Sequence, residues 1–214
     1  MNLSRLRSNL DGVRSRIAAA CARAGRDPSG VTLIVVTKSV PAELIPRLAE
    51  LGVRDIGENR PVEALGRIGG LQGFRRHMIG HLQTNKIGKA LAWADIVHSV
   101  DRPSLLAALA KQARKVPVFV QVNVSGEESK GGYGPEGVEG AVAEARRSLE
   151  VLGLMTMAPE GTDARPHFRR LRELAARAGL AGLSMGMSQD FEAGVEEGAT
   201  HVRVGTAIFE GVLI

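Results

Sequence analysis

The run "VTLIVVTKSV" at 31–40 is apolar and β-branched until it stops on Lys38. A lysine at the end of a buried strand can snorkel into water. It can also stand in a low-dielectric mouth, where desolvation disfavours the ammonium and frees an amine to form a Schiff base with a carbonyl. Near the other end of the chain, "LSMGMSQDF" brings Ser188 to a strand end, and "HVRVGTAIF" brings Gly205 and Thr206 to the next. Hydroxyls and free backbone N–H groups at a helix start make an anion site. The same residues also read as an N-cap serine and a packing glycine. Arg203 lies between Val202 and Val204. If the valines face outward, the guanidinium faces inward, and an unpaired charge buried there costs several kcal/mol. It requires either an internal carboxylate or an acceptor on a bound ligand.

Other polar residues sit at strand ends. Asn59 closes "GEN" and can offer a donor and an acceptor to a ligand, or cap the helix that follows. His77, Ile79 and His81 share one strand face, but an HxxxH spacing on a strand without a glutamate is no metal motif, so no metal site is expected. Each histidine reads as a satisfied buried one, with His81 kept as a secondary ligand contact. Lys130 lies in the glycine-rich "NVSGEESKGGYGP", either a close-fitting loop over a site or a plain surface loop. Met187 beside Ser188 is another secondary contact, and the methionines of "GLMTMAP" read as core filling.

The elements that must position these residues alternate along the chain. Strand-like runs fall at 31–38, 54–59, 76–82, 95–100, 117–124, 151–158, 182–188 and 201–209, with helical patterns near 42–51, 60–68, 84–93, 102–114, 135–148, 164–178 and 189–197. Pro46 interrupts the first helical pattern, and Gly52, Gly179 and Gly198 mark helix stops. Leu3, Leu6, Leu10, Val13, Ile17 and Cys21 recur at helical spacing within 1–25 and predict an extra N-terminal helix packed on the domain. Eight strands alternating with helices predict an α/β protein, a single (β/α)8 TIM barrel over residues 1–214. No Gly-rich dinucleotide fingerprint follows the first strand, which disfavours an open doubly wound sheet. In such a barrel the strand C-termini form the active face, and phosphates commonly sit after strands seven and eight, where Ser188, Gly205 and Thr206 fall.

Bulk composition narrows the classes. With 44% hydrophobic and 24% charged residues the chain reads as a globular protein. No apolar run is long enough for a membrane span, and no secretory signal is present, so a cytoplasmic protein is expected. One cysteine excludes an internal disulfide and a thiolate metal cluster, and its place on the apolar stripe makes Cys21 a buried thiol. The net charge of +5 raises nucleic acid as a partner, but arginines scattered over helix faces and 3% aromatics argue instead for a solvated basic surface.

A Schiff-base lysine, a phosphate cradle and an arginine between them suggest pyridoxal 5′-phosphate (PLP), which has an aldehyde for Lys38, a phosphate for Ser188, Gly205 and Thr206, and a ring nitrogen for Arg203. The stretches "VVTKSVP", "GENRPVEA", "HMIGHLQTNK", "HSVD", "QVNVSGEESKGG", "GLMTMAP" and "LSMGMSQDFEAGVEEGATHVRVGTAIF" occur in order from about residue 31 to residue 209. In these the chain resembles the pyridoxal phosphate homeostasis protein family, related to the barrel domain of fold-type III PLP enzymes such as alanine racemase. The resemblance implies a PLP-binding barrel with an internal aldimine on Lys38, a phosphate held by Ser188, Gly205 and Thr206, and Arg203 facing the pyridine nitrogen. It places Asn59 beside the cofactor and makes Lys130 the lysine of the family's SK-G loop. It implies a PLP carrier in vitamin B6 homeostasis, with apo PLP-dependent enzymes as possible recipients. The chain departs from the family at Arg60-Pro61, where a different helix start is expected, and at the ending "IFEGVLI", where the final turn is expected to differ.

Physical chemistry separates a carrier from an enzyme. An arginine, with a pKa above about 12, does not readily protonate a pyridine nitrogen, which leaves the ring a poorer electron sink. A racemase also needs a second acid/base on the opposite cofactor face. In the racemases resembled this is a tyrosine brought by a second domain, whereas Tyr133 is the single tyrosine here, in the glycine-rich loop. The expectation is a monomeric carrier without established turnover. The alternative is a fold-type III enzyme with low racemase or transaminase activity.

Overall fold

The computed structural model describes residues 2–127 and 130–212. Eight strands, β1 (Thr32–Val36), β2 (Asp55–Glu58), β3 (Arg75–Met78), β4 (Ile96–Val100), β5 (Val118–Gln121), β6 (Val151–Met155), β7 (Gly182–Met187) and β8 (His201–Val204), form a closed barrel in sequence order. All pairings are parallel, and β8 closes on β1 with Ile34 opposite Arg203. The chain is therefore an α/β TIM barrel.

Helices clothe it: α1 (Leu3–Arg23), α2 (Arg47–Glu50), α3 (Pro61–Ile68), α4 (Ile87–Leu91), α5 (Pro103–Ala110), α6 (Val138–Arg146), α7 (Arg165–Arg177), α8 (Phe191–Glu196) and α9 (Thr206–Phe209). α1 buries Leu6, Leu10, Val13, Ile17, Ala20 and Cys21, whereas Leu3, expected on that stripe, is exposed in the first turn. α1 also lies against α8 through Arg16–Glu192 at 2.8 Å and Arg23–Glu196 at 2.7 Å. Among the described residues no helix is long and apolar enough to cross a membrane.

Strand ends differ from the sequence expectation where local chemistry intervenes. β8 ends at Val204, not at residue 209, because Gly205 turns the chain and residues 206–209 wind into α9. The helix expected over 42–51 is split by Pro46 into a short 3-10 turn at Ala42–Leu44 and α2. α3 opens on Pro61 after an extended Arg60, so the unusual Arg60-Pro61 pair supplies a normal first helical position. The glycines expected as helix stops, Gly52, Gly179 and Gly198, all have positive φ. Leu213 and Ile214 of the atypical ending lie outside the described residues.

Valines and leucines on the outward faces of the strands join the main core with the helices. The inside of the barrel is packed differently. Ile96, Phe119 and Met155 form a small separate apolar cluster there, and the His98 ring stacks on Phe119 at 4.5 Å. Gly153 and Gly182 face each other so closely that a Cβ on Gly153 would meet Gly182 O at 1.9 Å, while one on Gly182 would lie 3.2 Å from Phe119 Cε1. The narrow β6–β7 seam thus makes room for the aromatic ring that fills the interior.

Candidate cofactor site

The turn after β1 presents Lys38 at the barrel mouth. Strand parity puts Ile34 and Val36 inward and Val35 outward, and β1 ends at Val36, two residues before Lys38, which stands in the turn beyond the strand. The turn is held from behind. Arg67 on α3 donates to Thr37 O at 2.9 Å and Lys38 O at 3.2 Å, and also to Val40 O. The same guanidinium pairs at 3.2 Å with Glu58, a buried carboxylate at the end of β2 that accepts from Thr37 Oγ1 at 2.7 Å. Burial pushes the Glu58 carboxyl above the usual carboxylate range, against the opposing pull of Thr37 and Arg67. Lys38 itself is exposed, so the desolvated amine expected from the sequence is not found: the mouth around this residue is open to water.

β7 and β8 end side by side in a ring of donors. Ser188 Oγ accepts from the backbone N–H groups of Gly205 at 3.3 Å and Ala207 at 3.4 Å, while the Thr206 residue is exposed beside them. A Cβ on Gly205 would sit 3.1 Å from Val36 Cβ and 3.2 Å from Val36 O, so this turn packs directly on the strand that leads to Lys38. Asp190 at the N-cap of α8 accepts from Met187 N at 2.6 Å and fixes the turn holding Ser188 and the half-buried Met187. Burial raises the Asp190 pKa, with the Met187 N–H and Arg203 opposing.

Arg203 is buried inside the barrel, with Val202 and Val204 facing the helices. Its partners are neutral: Ser184 Oγ at 2.6 Å and Thr156 O at 2.9 Å. Burial pulls the guanidinium down to about 10, against a smaller opposite effect of Asp190. Neither partner is the internal carboxylate that a purely structural buried arginine calls for.

The remaining candidates line the rim. Asn59 is half-buried and does not cap α3, whose N-cap is Arg60. Its backbone abuts Gly80, where a Cβ would meet Asn59 O at 2.3 Å. His81, expected as a satisfied buried histidine, is exposed, because β3 ends at Met78 and the chain has left the sheet. Its Nδ1 still reaches Asp101 Oδ2 at 2.8 Å. His77 is buried and paired with Asp55 and His98. The loop after β5 is close-fitting. Asn123 Nδ2 donates to Glu127 O and Lys130 O at 2.9 Å each, Gln121 Nε2 donates to Gly131 O at 2.7 Å, and Gly131 packs toward Asp101. Lys130 Nζ lies 3.4 Å from Glu127 Oε2, and Glu128 and Ser129 of this loop lie outside the described residues. Burial, then Asp101, pushes the Tyr133 hydroxyl up to about 12.

Sequence reading missed Arg67, Glu58 and Thr37 behind Lys38, and Ser184 and Thr156 behind Arg203. For Ser184 the signal was available, since it has the inward parity of β7. For Arg67 there was none, because a helix arginine reads as solvated. Among the described residues no group of three His, Cys, Asp or Glu side chains is placed to hold a metal.

Comparison with known proteins bears on this geometry. The family model described as alanine racemase, N-terminal domain, matches residues 1–211. A pyridoxal phosphate homeostasis protein of Aquifex aeolicus is 41% identical over 94% of this chain and 95% of its own length. One of Pseudomonas aeruginosa is 43% identical, covering 97% and 96%. The structure of PipY from Synechococcus elongatus with PLP bound superposes with a TM-score of 0.79 at 31% identity, covering 95% of this chain and 99% of that one. Full-length identity on this scale, on a barrel whose mouth gathers Lys38, Ser188, Gly205 and Thr206 above Arg203, leaves one assignment: the chain belongs to the pyridoxal phosphate homeostasis protein family, within the alanine racemase N-terminal domain group.

Proposed function

We propose that this protein binds PLP at the barrel mouth and serves as a monomeric intracellular carrier in PLP homeostasis, handing the cofactor to apo PLP-dependent enzymes. The observation that carries the reading is the packing of the Gly205 turn on Val36. It joins a set of phosphate donors to the strand that leads to Lys38. The donor set fits the cofactor. Ser188, Gly205 and Thr206 would hold the phosphate, Lys38 Nζ would engage the aldehyde, Arg203 would serve the ring nitrogen, and Asn59 would stand beside the ring. His81, Met187 and Lys130 are secondary contacts at the rim. When bound, PLP supplies an electrophilic aldehyde and an electron-withdrawing ring. The chain would supply a cation at the ring nitrogen that, even with its pKa lowered to about 10, keeps its proton at neutral pH, so the ring would be bound without being activated. The exposure of Lys38 suits a carrier, which must release its load.

Visible absorbance of the purified protein with PLP, before and after borohydride, followed by mapping of the modified lysine, tests this reading. The expected result is a new absorbance band, lost on reduction, with the label on Lys38. No band, or a label on another lysine, sinks it.

A second reading rests on Tyr133, whose hydroxyl is buried without a hydrogen-bond partner among the described residues and lies near Asp101. As an acid at the mouth it would support low racemase activity. Isomerisation of alanine at a steady rate, lost in both Lys38→Ala and Tyr133→Phe, would favour that reading over the carrier.

A further inference from the structure

Behind Arg203, and out of reach of the mouth, polar side chains from five strands meet inside the barrel. His77 Nε2 lies 2.9 Å from Asp55 Oδ1, and His77 Nδ1 lies 2.9 Å from His98 Nε2. His98 Nδ1 lies 2.8 Å from Ser184 Oγ, which accepts from Arg203 Nη1 at 2.6 Å. His77, His98 and Ser184 are fully buried, and Asp55 is partly exposed at the start of β2. A line of four hydrogen bonds therefore runs from the proposed cofactor pocket to the opposite end of the barrel.

The two ends fix the direction of the line. A guanidinium can only donate and a carboxylate can only accept. A neutral imidazole carries one of each. His77 must then hold its proton on Nε2 to reach Asp55, which leaves Nδ1 bare for His98 Nε2–H. That in turn leaves His98 Nδ1 bare for the Ser184 hydroxyl, and the serine lone pairs are turned to Arg203. Two charged states rival this. An imidazolium at His77 would donate both ways and reverse His98, and an imidazolium at His98 would donate both ways itself; either makes Ser184 accept twice. The surroundings oppose both. Arg203 and His201 on β8 and Arg75 on β3 add positive charge or no charge, and Phe119 on β5 is apolar. Asp190 lies beyond Arg203, and Asp55 already shares its carboxylate with Arg75 at 3.6 Å. Burial, then His77, Arg203 and His201, keeps the His98 pKa well below its ordinary value, and His201 is pushed down to about 4, chiefly by burial.

We propose that Asp55, His77, His98 and Ser184 are positioning residues for Arg203, forming a one-way hydrogen-bond chain that holds each imidazole in a single neutral tautomer and aims a serine lone pair at the guanidinium. The proposal rests on the reading of Arg203 as the partner of the ring nitrogen. With Nη1 tied to Ser184 and Nη2 to Thr156 O, the guanidinium keeps one orientation, and no imidazolium stands behind it as a proton source for the ring.

Nitrogen-15 NMR of the imidazoles in the ligand-free full chain tests the chain itself. At about pH 8 His77 and His98 should both be protonated on Nε2 alone. Protonation of His98 on Nδ1, or of both His77 nitrogens, overturns the proposal. The link to the ring is tested with His98→Phe, which keeps a ring on Phe119 but cuts the line, and with the smaller change Ser184→Ala. Each is titrated with PLP and with a carbocyclic analogue bearing carbon in place of the ring nitrogen. Both variants should bind PLP about tenfold more weakly and bind the analogue as the unaltered protein does. Equal losses for the two ligands would mean that the chain only supports packing, and would overturn the positioning role. If the unaltered protein binds neither ligand, the proposed function fails, while the tautomer measurement still decides the chain.

Discussion

Arg67 meets the buried Glu58 at 3.2 Å, and the two hold from behind the turn that carries Lys38. Arg67→Ala frees three backbone carbonyls and leaves a buried carboxylate unpaired. Because Arg67 is partly exposed, the expected loss of stability is about 3 kcal/mol, at the low end for breaking a buried pair. Chemical denaturation measures it, and a PLP titration should show weakened binding although no residue that contacts the cofactor has changed.

Glu58 also imposes a pH dependence. Its pKa is raised in the folded chain, so the folded state favours the protonated form. Stability from this group is fully present below its unfolded pKa, near 4.5, and is lost as pH rises through the higher folded value. Glu58→Gln has nothing to lose over that interval. Denaturation midpoints compared from about pH 4 upward should therefore show the unaltered protein falling relative to the variant. A constant difference across that range would rule out the raised carboxyl.

Gly205→Ala should discriminate between the cofactor's ends. The added methyl would lie 3.1 Å from Val36 Cβ, so the turn must move away from Ser188. Affinity for PLP should fall by about tenfold or more, whereas affinity for pyridoxal, which lacks the phosphate, should change little. Equal losses would place the phosphate elsewhere.

Arg203→Met should separate stability from binding. A buried guanidinium with only neutral partners is costly, and an apolar side chain of similar length removes that cost. The ligand-free variant is expected to gain about 1 kcal/mol in urea unfolding and to lose PLP binding. A large destabilisation would instead make Arg203 a structural residue.

The α1–α8 contact should weaken in acid. Glu196 is held below the usual carboxylate range by hydrogen bonds from Arg165 and Arg23, and Glu192 by one from Arg16. Their contribution is present above an unfolded pKa near 4.5 and disappears as pH falls through the lower folded values. These groups are largely solvated, so Glu196→Gln should cost under about 1 kcal/mol at neutral pH. It should become indistinguishable from the unaltered protein in denaturation near about pH 3.

The barrel was legible because its strands are β-branched runs separated by helical patterns, and because eight such units without a dinucleotide fingerprint match a closed barrel rather than a doubly wound sheet. The strand ends were less so. "AIF" after Gly205 is apolar enough to extend a strand, and only the turn at Gly205 shows that it becomes α9. Lys38, Ser188, Gly205, Thr206 and Arg203 could be selected by position alone. Their surroundings could not: Arg67 is 29 residues from Lys38, and His98 is 86 residues from Ser184. The first is made by packing of neighbouring βα units and the second across the closed barrel, neither of which local spacing encodes. The exposure of Lys38 and His81 likewise depends on where the turns leave the sheet, a matter of one or two residues.

The facing glycines 153 and 182 let Phe119 fill the interior against His98, and His201 closes on the same ring at 5.0 Å. Among the described residues the interior behind the mouth is in consequence filled by side chains. On the proposed reading, what Lys38 takes up would leave the way it came, with no through-flow in which fresh cofactor pushes out the old. Unloading would then be hastened by something that arrives at the rim, and the rate of delivery would be set by the visitor as much as by the host.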